Sequence, residues 1–107
     1  MDFSKFKKST TSVWGGESDL KVSGAVTSPI VNSVAFAYND VDHWHEVSLG
    51  KAEGYIYSRN TNPTVAVLEQ RIAALEGGVG AICTASGMNA LFVTFVSLCS
   101  AGDHIVS

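Results

Sequence analysis

The sequence predicts an α/β fold: an irregular N-terminal arm over residues 1–62, then the incomplete start of a helix-and-sheet domain over residues 63–107. Three observations carry this expectation. Val65, Leu68, Ile72 and Leu75 recur at helical spacing between Asn62-Pro63, an entry signal, and Gly77-Gly78, a stop. A short apolar run at 79–84 has strand length, and a second at 88–99 is apolar on nearly all sides, as a buried helix would be. After a Gly102-Asp103 turn, Ile105-Val106 opens another apolar stretch. The predicted order is therefore helix 63–76, strand 79–84, helix 87–99 and strand 104–107, the alternation of a sheet covered on both faces. Two strands are too few to complete such a sheet, and the chain reads as a piece of a larger protein.

Charge patterning points the same way. Every lysine lies at or before Lys51, and the 26 residues from Gly77 to Gly102 carry no charge. A small free-standing domain keeps charge on at least one face of each element. A net charge of −3 and a pI near 5.4 exclude a basic nucleic-acid-binding face. Cys83 and Cys99 lie in apolar runs with no CxxC or His/Cys ligand spacing, which fits reduced thiols and a cytoplasmic protein. Lys5, Lys7 and Lys8 are not followed by an apolar core, so the N-terminus is not a secretory signal. The uncharged run is long enough to cross a bilayer, and a small membrane protein spanning 79–99 is one alternative. Against it, Gly77, Gly78 and Gly80 break the start of the span, and Thr84, Ser86, Gly87 and Asn89 would fall near its middle.

Within the arm, residues 1–19 are polar and Ser/Thr-rich and predict irregular chain with little core of its own. Residues 21–36 suit extended segments interrupted at Pro29, with little regular sheet. Residues 39–49 predict a short helix exposing Asp42, His43, His45 and Glu46 and turning Val41, Trp44 and Val47 inward. His43 and His45, two apart, point to different sides of such a helix and make no metal site. His104 is assigned no role.

Two stretches carry candidate chemistry. Tyr57-Ser58-Arg59 precedes the Asn62-Pro63 helix entry, where side chains are aimed by a rigid element and free to reach a ligand. A guanidinium beside a phenol suits an anion such as phosphate, although the same pair also reads as a surface arginine and a core tyrosine. Ser86-Gly87-Met88 stands at the start of the second predicted helix. Free N–H groups and the positive end of the helix dipole form an anion-binding cup there, and Gly87 allows close approach; Ser86 reads equally as a helix cap alone. Neither a P-loop nor a GxGxxG fingerprint is present.

In order along the chain, Tyr57-Ser58-Arg59, Asn62-Pro63-Thr64, Leu68-Glu69, Leu75-Glu76-Gly77-Gly78, Ser86-Gly87-Met88 and Gly102-Asp103-His104 resemble the N-terminal part of the pyridoxal-phosphate (PLP) enzymes of cysteine and methionine metabolism. These include O-acylhomoserine sulfhydrylases, cystathionine synthases and lyases, and methionine gamma-lyases. The likeness extends with gaps from about Thr11 through Ser107. It implies a fold-type I PLP-dependent transferase and a homo-oligomer, a tetramer with active sites built across dimer interfaces. The substrate implied is a small amino acid, either O-acylhomoserine, cystathionine or methionine, undergoing gamma-replacement or elimination.

By the same resemblance, Ser86, Gly87 and Met88 hold the cofactor phosphate, while Tyr57 and Arg59 contact the phosphate bound by the neighbouring subunit. Asn89 stands where the family has alanine, and Val34-Ala35 where a Ser/Thr pattern is usual; neither removes a phosphate contact. The family's Schiff-base lysine, its aspartate to the pyridinium nitrogen, its ring-stacking tyrosine and its arginine for the substrate carboxylate all fall downstream of Ser107. This stretch alone is therefore expected to be inactive. The other alternative is a non-catalytic phosphate-binding or interaction module.

Overall fold

The computed structural model describes residues 5–15 and 24–107, and four helices form among them. The longest, α3 (Pro63–Glu76), begins and ends on the signals read above. Asn62 caps it by accepting from Thr64 N–H, Pro63 occupies the first turn, and Gly77 closes it in the left-handed conformation at φ 66°. The second, α2 (Val41–Ser48), is capped by the Asp40 side chain, which accepts from Asp42 N–H. Ser86 caps α4 (Gly87–Leu98) through its hydroxyl to Asn89 N–H.

One helix was not expected. Residues 8–14 fall in the stretch predicted to be irregular, yet they form α1 (Lys8–Trp14). Its Ser/Thr content disfavours a helix and no side chain caps it, so the support is tertiary. Thr11 and Gly15 are buried, and Arg71 on α3 donates through Nε to the Gly15 carbonyl at 3.0 Å. A Cβ on Gly15 would stand 2.8 Å from the Thr11 carbonyl oxygen and 3.4 Å from Arg71 Cα, so glycine is what lets α1 end against α3. Residues 1–4 and 16–19 of the stretch expected to be irregular, and residues 21–23 of the expected extended segment, lie outside the described residues.

The predicted strands are corrected in one respect. Residues 79–84 and 104–107 form no ladder with any described residue, and a strand exists only by pairing. Cross-strand pairing among the described residues is a single antiparallel bridge, Ala35 to Tyr57, closed by Phe36 N–H to the Ile56 carbonyl (3.1 Å) and Ser58 N–H to the Val34 carbonyl (2.8 Å). Tyr38 extends this contact: its hydroxyl accepts from Tyr55 N–H and donates to the Tyr55 carbonyl, each at 3.0 Å.

The predicted burial is also corrected. On α3 the buried side chains are Pro63 and Val67, while Val65, Leu68 and Ile72 of the apolar stripe are exposed. On α2 only Val47 is buried; Val41 and Trp44 are exposed. No residue of α4 is buried, and Phe92 is 61% exposed. A face apolar enough to be buried is uncovered because nothing in the described residues packs on it. The radius of gyration, 16.7 Å, exceeds the ~13 Å of a compact domain of this length. With 12 residues, α4 is about 18 Å long against the ~30 Å of a bilayer core, and no helix among the described residues is long and apolar enough to cross a membrane.

Candidate functional site

The first candidate segment is held by polar bonds from distant parts of the chain. Asn62 is buried with both ends of its amide used: Oδ1 accepts from Thr64 N–H (2.8 Å), and Nδ2 donates to the Val31 carbonyl (3.1 Å) and to Ser58 Oγ (2.9 Å). Ser58 Oγ in turn donates to the Ser33 carbonyl, and Thr64 Oγ1 accepts from Val31 N–H at 2.8 Å. Amide donors of Asn60 and Thr61 fold back on the Tyr57 carbonyl at 2.9 and 3.2 Å. The backbone on either side of Arg59 is thus pinned, while the Tyr57 and Arg59 side chains are exposed. The Arg59 guanidinium carbon lies 4.7 Å from the centroid of the Tyr57 ring, a cation–π distance. Ring and guanidinium therefore act as one unit.

Arg59 lines a cleft of about 330 Å³ together with Ser58, Asn62, Ile82, Cys83 and Thr84. Glu69 on α3 closes one side by accepting from Cys83 N–H at 2.8 Å, which ties the 79–84 segment to α3. A larger groove of about 750 Å³, between residues 47–56 and α3, contains none of the predicted site residues.

The second candidate segment is the start of α4. Thr84 Oγ1 donates to the Ser86 carbonyl (2.8 Å), Ser86 Oγ accepts from Asn89 N–H (3.2 Å), and the Ser86 carbonyl accepts from Ala90 N–H (3.1 Å). Gly87 and Met88, at the first two helical positions, are left with N–H groups that the helix cannot pair internally. A Cβ on Gly87 would meet nothing within 4 Å, so the backbone is open to an approaching ligand. Two adjacent amide donors at the positive end of a helix can hold a phosphate monoester.

Tyr57 and Arg59 are thus brought together, as are Ser86, Gly87 and Met88, but the two groups do not line one cleft: Gly87 and Met88 are absent from the cleft that Arg59 shares with Thr84. Among the described residues, no group of His, Cys, Asp or Glu is placed to hold a metal ion. The part that Asn62 and Ser58 play in shaping the site carries no local signal in the sequence, since their partners Val31 and Ser33 are 25 to 31 positions away in the chain.

The family of Cys/Met metabolism PLP-dependent enzymes matches residues 9–107. The chain belongs to this family. Homocysteine synthase of Schizosaccharomyces pombe is 45% identical over 93 residues, covering 87% of this chain and 21% of that enzyme. O-acetyl-L-homoserine sulfhydrylase of Corynebacterium glutamicum is 42% identical over 98 residues, covering 92% and 22%. Among solved structures, an O-acetylhomoserine (thiol)-lyase of Campylobacter jejuni, which carries N'-pyridoxyl-lysine-5'-monophosphate, superposes with a TM-score of 0.84 at 35% identity over 92% of this chain and 24% of that one. The chain spans about a fifth to a quarter of the length of these relatives. Within the family's fold-type I architecture it supplies an N-terminal piece that is mostly helical.

The residues present fit the phosphate end of the family's cofactor. The Gly87-Met88 amides and the open approach at Gly87 match a phosphate monoester in charge and shape. Residues 52–107, which carry both candidate segments, contain no lysine to meet its aldehyde end.

Proposed function

We propose that this chain forms part of a cytoplasmic, homo-oligomeric PLP enzyme that exchanges the gamma-substituent of an O-acylhomoserine for a sulfur nucleophile, and that its own task is to hold the cofactor phosphate. The observation that carries this reading is the pair of unpaired amides at Gly87 and Met88, in a chain of a PLP-dependent family whose relatives include a homocysteine synthase and an O-acetyl-L-homoserine sulfhydrylase. When bound, PLP supplies the electron sink for bond changes on the amino-acid substrate. Gly87 and Met88 N–H donate to phosphate oxygens, Ser86 orients the first turn of α4, and Tyr57 with Arg59 supplies the countercharge.

The phosphate grip is divided between two copies of the chain. The family resemblance supports this division: it assigns Tyr57 and Arg59 to the phosphate bound by the neighbouring subunit, so that the grip is completed by the loop of one subunit and the α4 cup of another. An active site shared in this way makes oligomerisation a condition of cofactor retention. The division of the chain into an arm (1–62) that reaches the neighbouring subunit and a cofactor-binding portion (63–107) follows from the same proposal.

The test is to reconstitute the intact enzyme with PLP and follow its visible absorption and cofactor retention through dialysis. A coloured protein that loses PLP upon Gly87→Val, whose side chain fills the open approach, is the expected result. A wild-type protein that stays colourless with PLP, even after borohydride treatment, would contradict the reading.

A further inference from the structure

We propose that Asn62 is a positioning residue for the Tyr57–Arg59 anion grip, acting through Ser58. The inference rests on the reading of Arg59 as a phosphate ligand. Asn62 does more than cap α3. A cap requires only Oδ1, which accepts from Thr64 N–H, whereas Nδ2 is turned away from the helix and spans 2.9 Å to Ser58 Oγ and 3.1 Å to the Val31 carbonyl. Ser58 is the residue between Tyr57 and Arg59, and its hydroxyl passes the contact on to the Ser33 carbonyl.

One buried amide therefore ties three elements: the helix entry, the extended segment 31–35 and the residue that separates the ring from the guanidinium. The donors and acceptors balance without water, since Ser58 Oγ accepts from Asn62 and donates to Ser33, leaving no mismatch in a half-buried site. The two side chains that would meet the anion, Tyr57 and Arg59, are themselves exposed and touch each other. Their direction is therefore set from beneath, by the backbone that Asn62 and Ser58 fix. A pre-set guanidinium loses less rotational freedom on binding than a free one, which is how a residue that touches no ligand raises affinity.

The two functions of Asn62 are separable by substitution. Asn62→Asp keeps the acceptor toward Thr64 N–H and places a negative charge at the start of α3, where it is tolerated, but it removes the donor to Ser58 and Val31. Ser58→Ala cuts the same link with the cap untouched, and serves if Asn62→Asp does not fold. The experiment measures, in the intact oligomeric enzyme, dissociation constants for PLP and for pyridoxal, which lacks the phosphate, by equilibrium dialysis. It uses wild type, Asn62→Asp, Ser58→Ala, Arg59→Ala and the double variant Asn62→Asp/Arg59→Ala.

Asn62→Asp is expected to weaken PLP about tenfold, the scale of a lost buried hydrogen bond, and Ser58→Ala somewhat less, with pyridoxal affinity unchanged in both. In the Arg59→Ala background Asn62→Asp should have no further effect, because the residue it positions is gone. Unchanged PLP affinity in Asn62→Asp and Ser58→Ala, with Arg59→Ala impaired, would overturn the positioning role and leave the phosphate reading standing. Equal loss of PLP and pyridoxal, or additive losses in the double variant, would reduce Asn62 to a structural cap. If Arg59→Ala itself retains PLP normally, the phosphate reading of Arg59 fails, and the positioning role falls with it.

Discussion

The two halves of the candidate phosphate site are built by opposite means. The Tyr57–Arg59 segment is pinned by long-range polar bonds: Asn62 to Val31, Ser58 to Ser33, Val31 to Thr64, and the Ala35–Tyr57 bridge. The α4 cup is shaped by local bonds within residues 84–90, with Glu69 to Cys83 N–H as a longer tie just before it. Beyond the cup, α4 presents apolar side chains on every side and none is buried. The first half carries its own scaffold. The second carries its ligand groups but depends on a cover for its helix.

The sharpest way to break this contrast is to remove the apolar surface of α4. With Phe92 and Phe95 exposed, the 107-residue chain is expected to self-associate and bind a hydrophobic dye, and Phe92→Asp with Phe95→Asp should lower dye binding several-fold and shift sedimentation toward monomer. Unchanged dye binding would mean that α4 is already covered. The next effect is in the scaffolded half. A Cβ at Gly54 would collide with Tyr38 Oη and lie 3.0 Å from both Val47 methyls, so Gly54→Ala should destabilise the fold by about 2 kcal/mol in a urea titration. Tyr38→Phe removes the two bonds to Tyr55 and should cost about 1–2 kcal/mol by the same measurement. Smallest is Ser86→Ala, which loses only the cap to Asn89 N–H. It should cost about 1 kcal/mol, visible as faster hydrogen exchange at Asn89 with little change at Ser58.

What was legible in the sequence follows the same division between local and distant causes. Helix entries and exits are encoded within a few residues, so Asn62-Pro63, Gly77 and the Ser86 cap mark α3 and α4 in the chain itself, and the Gly87-Met88 amides follow from the helix start. Helix α1 is different: Ser9, Thr10, Thr11 and Ser12 argue against it, and it is held by Arg71, 56 residues away from Gly15. The lack of a ladder for residues 79–84 and 104–107 is not legible either, because strand partners are a property of the assembled sheet and none stands among the described residues. Burial departs from the pattern for the same reason: Leu68, Ile72 and Phe92 have the pattern of buried residues and are exposed, since pattern states what a surface needs rather than what covers it. The role of Asn62 toward Ser58 and Val31 is a fact of three dimensions, invisible beside its plain signature as a helix cap.

The division of the phosphate grip between subunits is tested most directly by mixing two inactive forms of the intact enzyme, Arg59→Ala and Gly87→Val, after dissociating and reassociating the oligomers. If loop and cup come from different subunits, each mixed dimer holds one site with both halves intact, and PLP retention should recover to about a quarter of the wild-type sites, the statistical share for a two-fold dimer. No recovery above the unmixed variants would place Arg59 and Gly87 of the same chain on one phosphate and contradict the account.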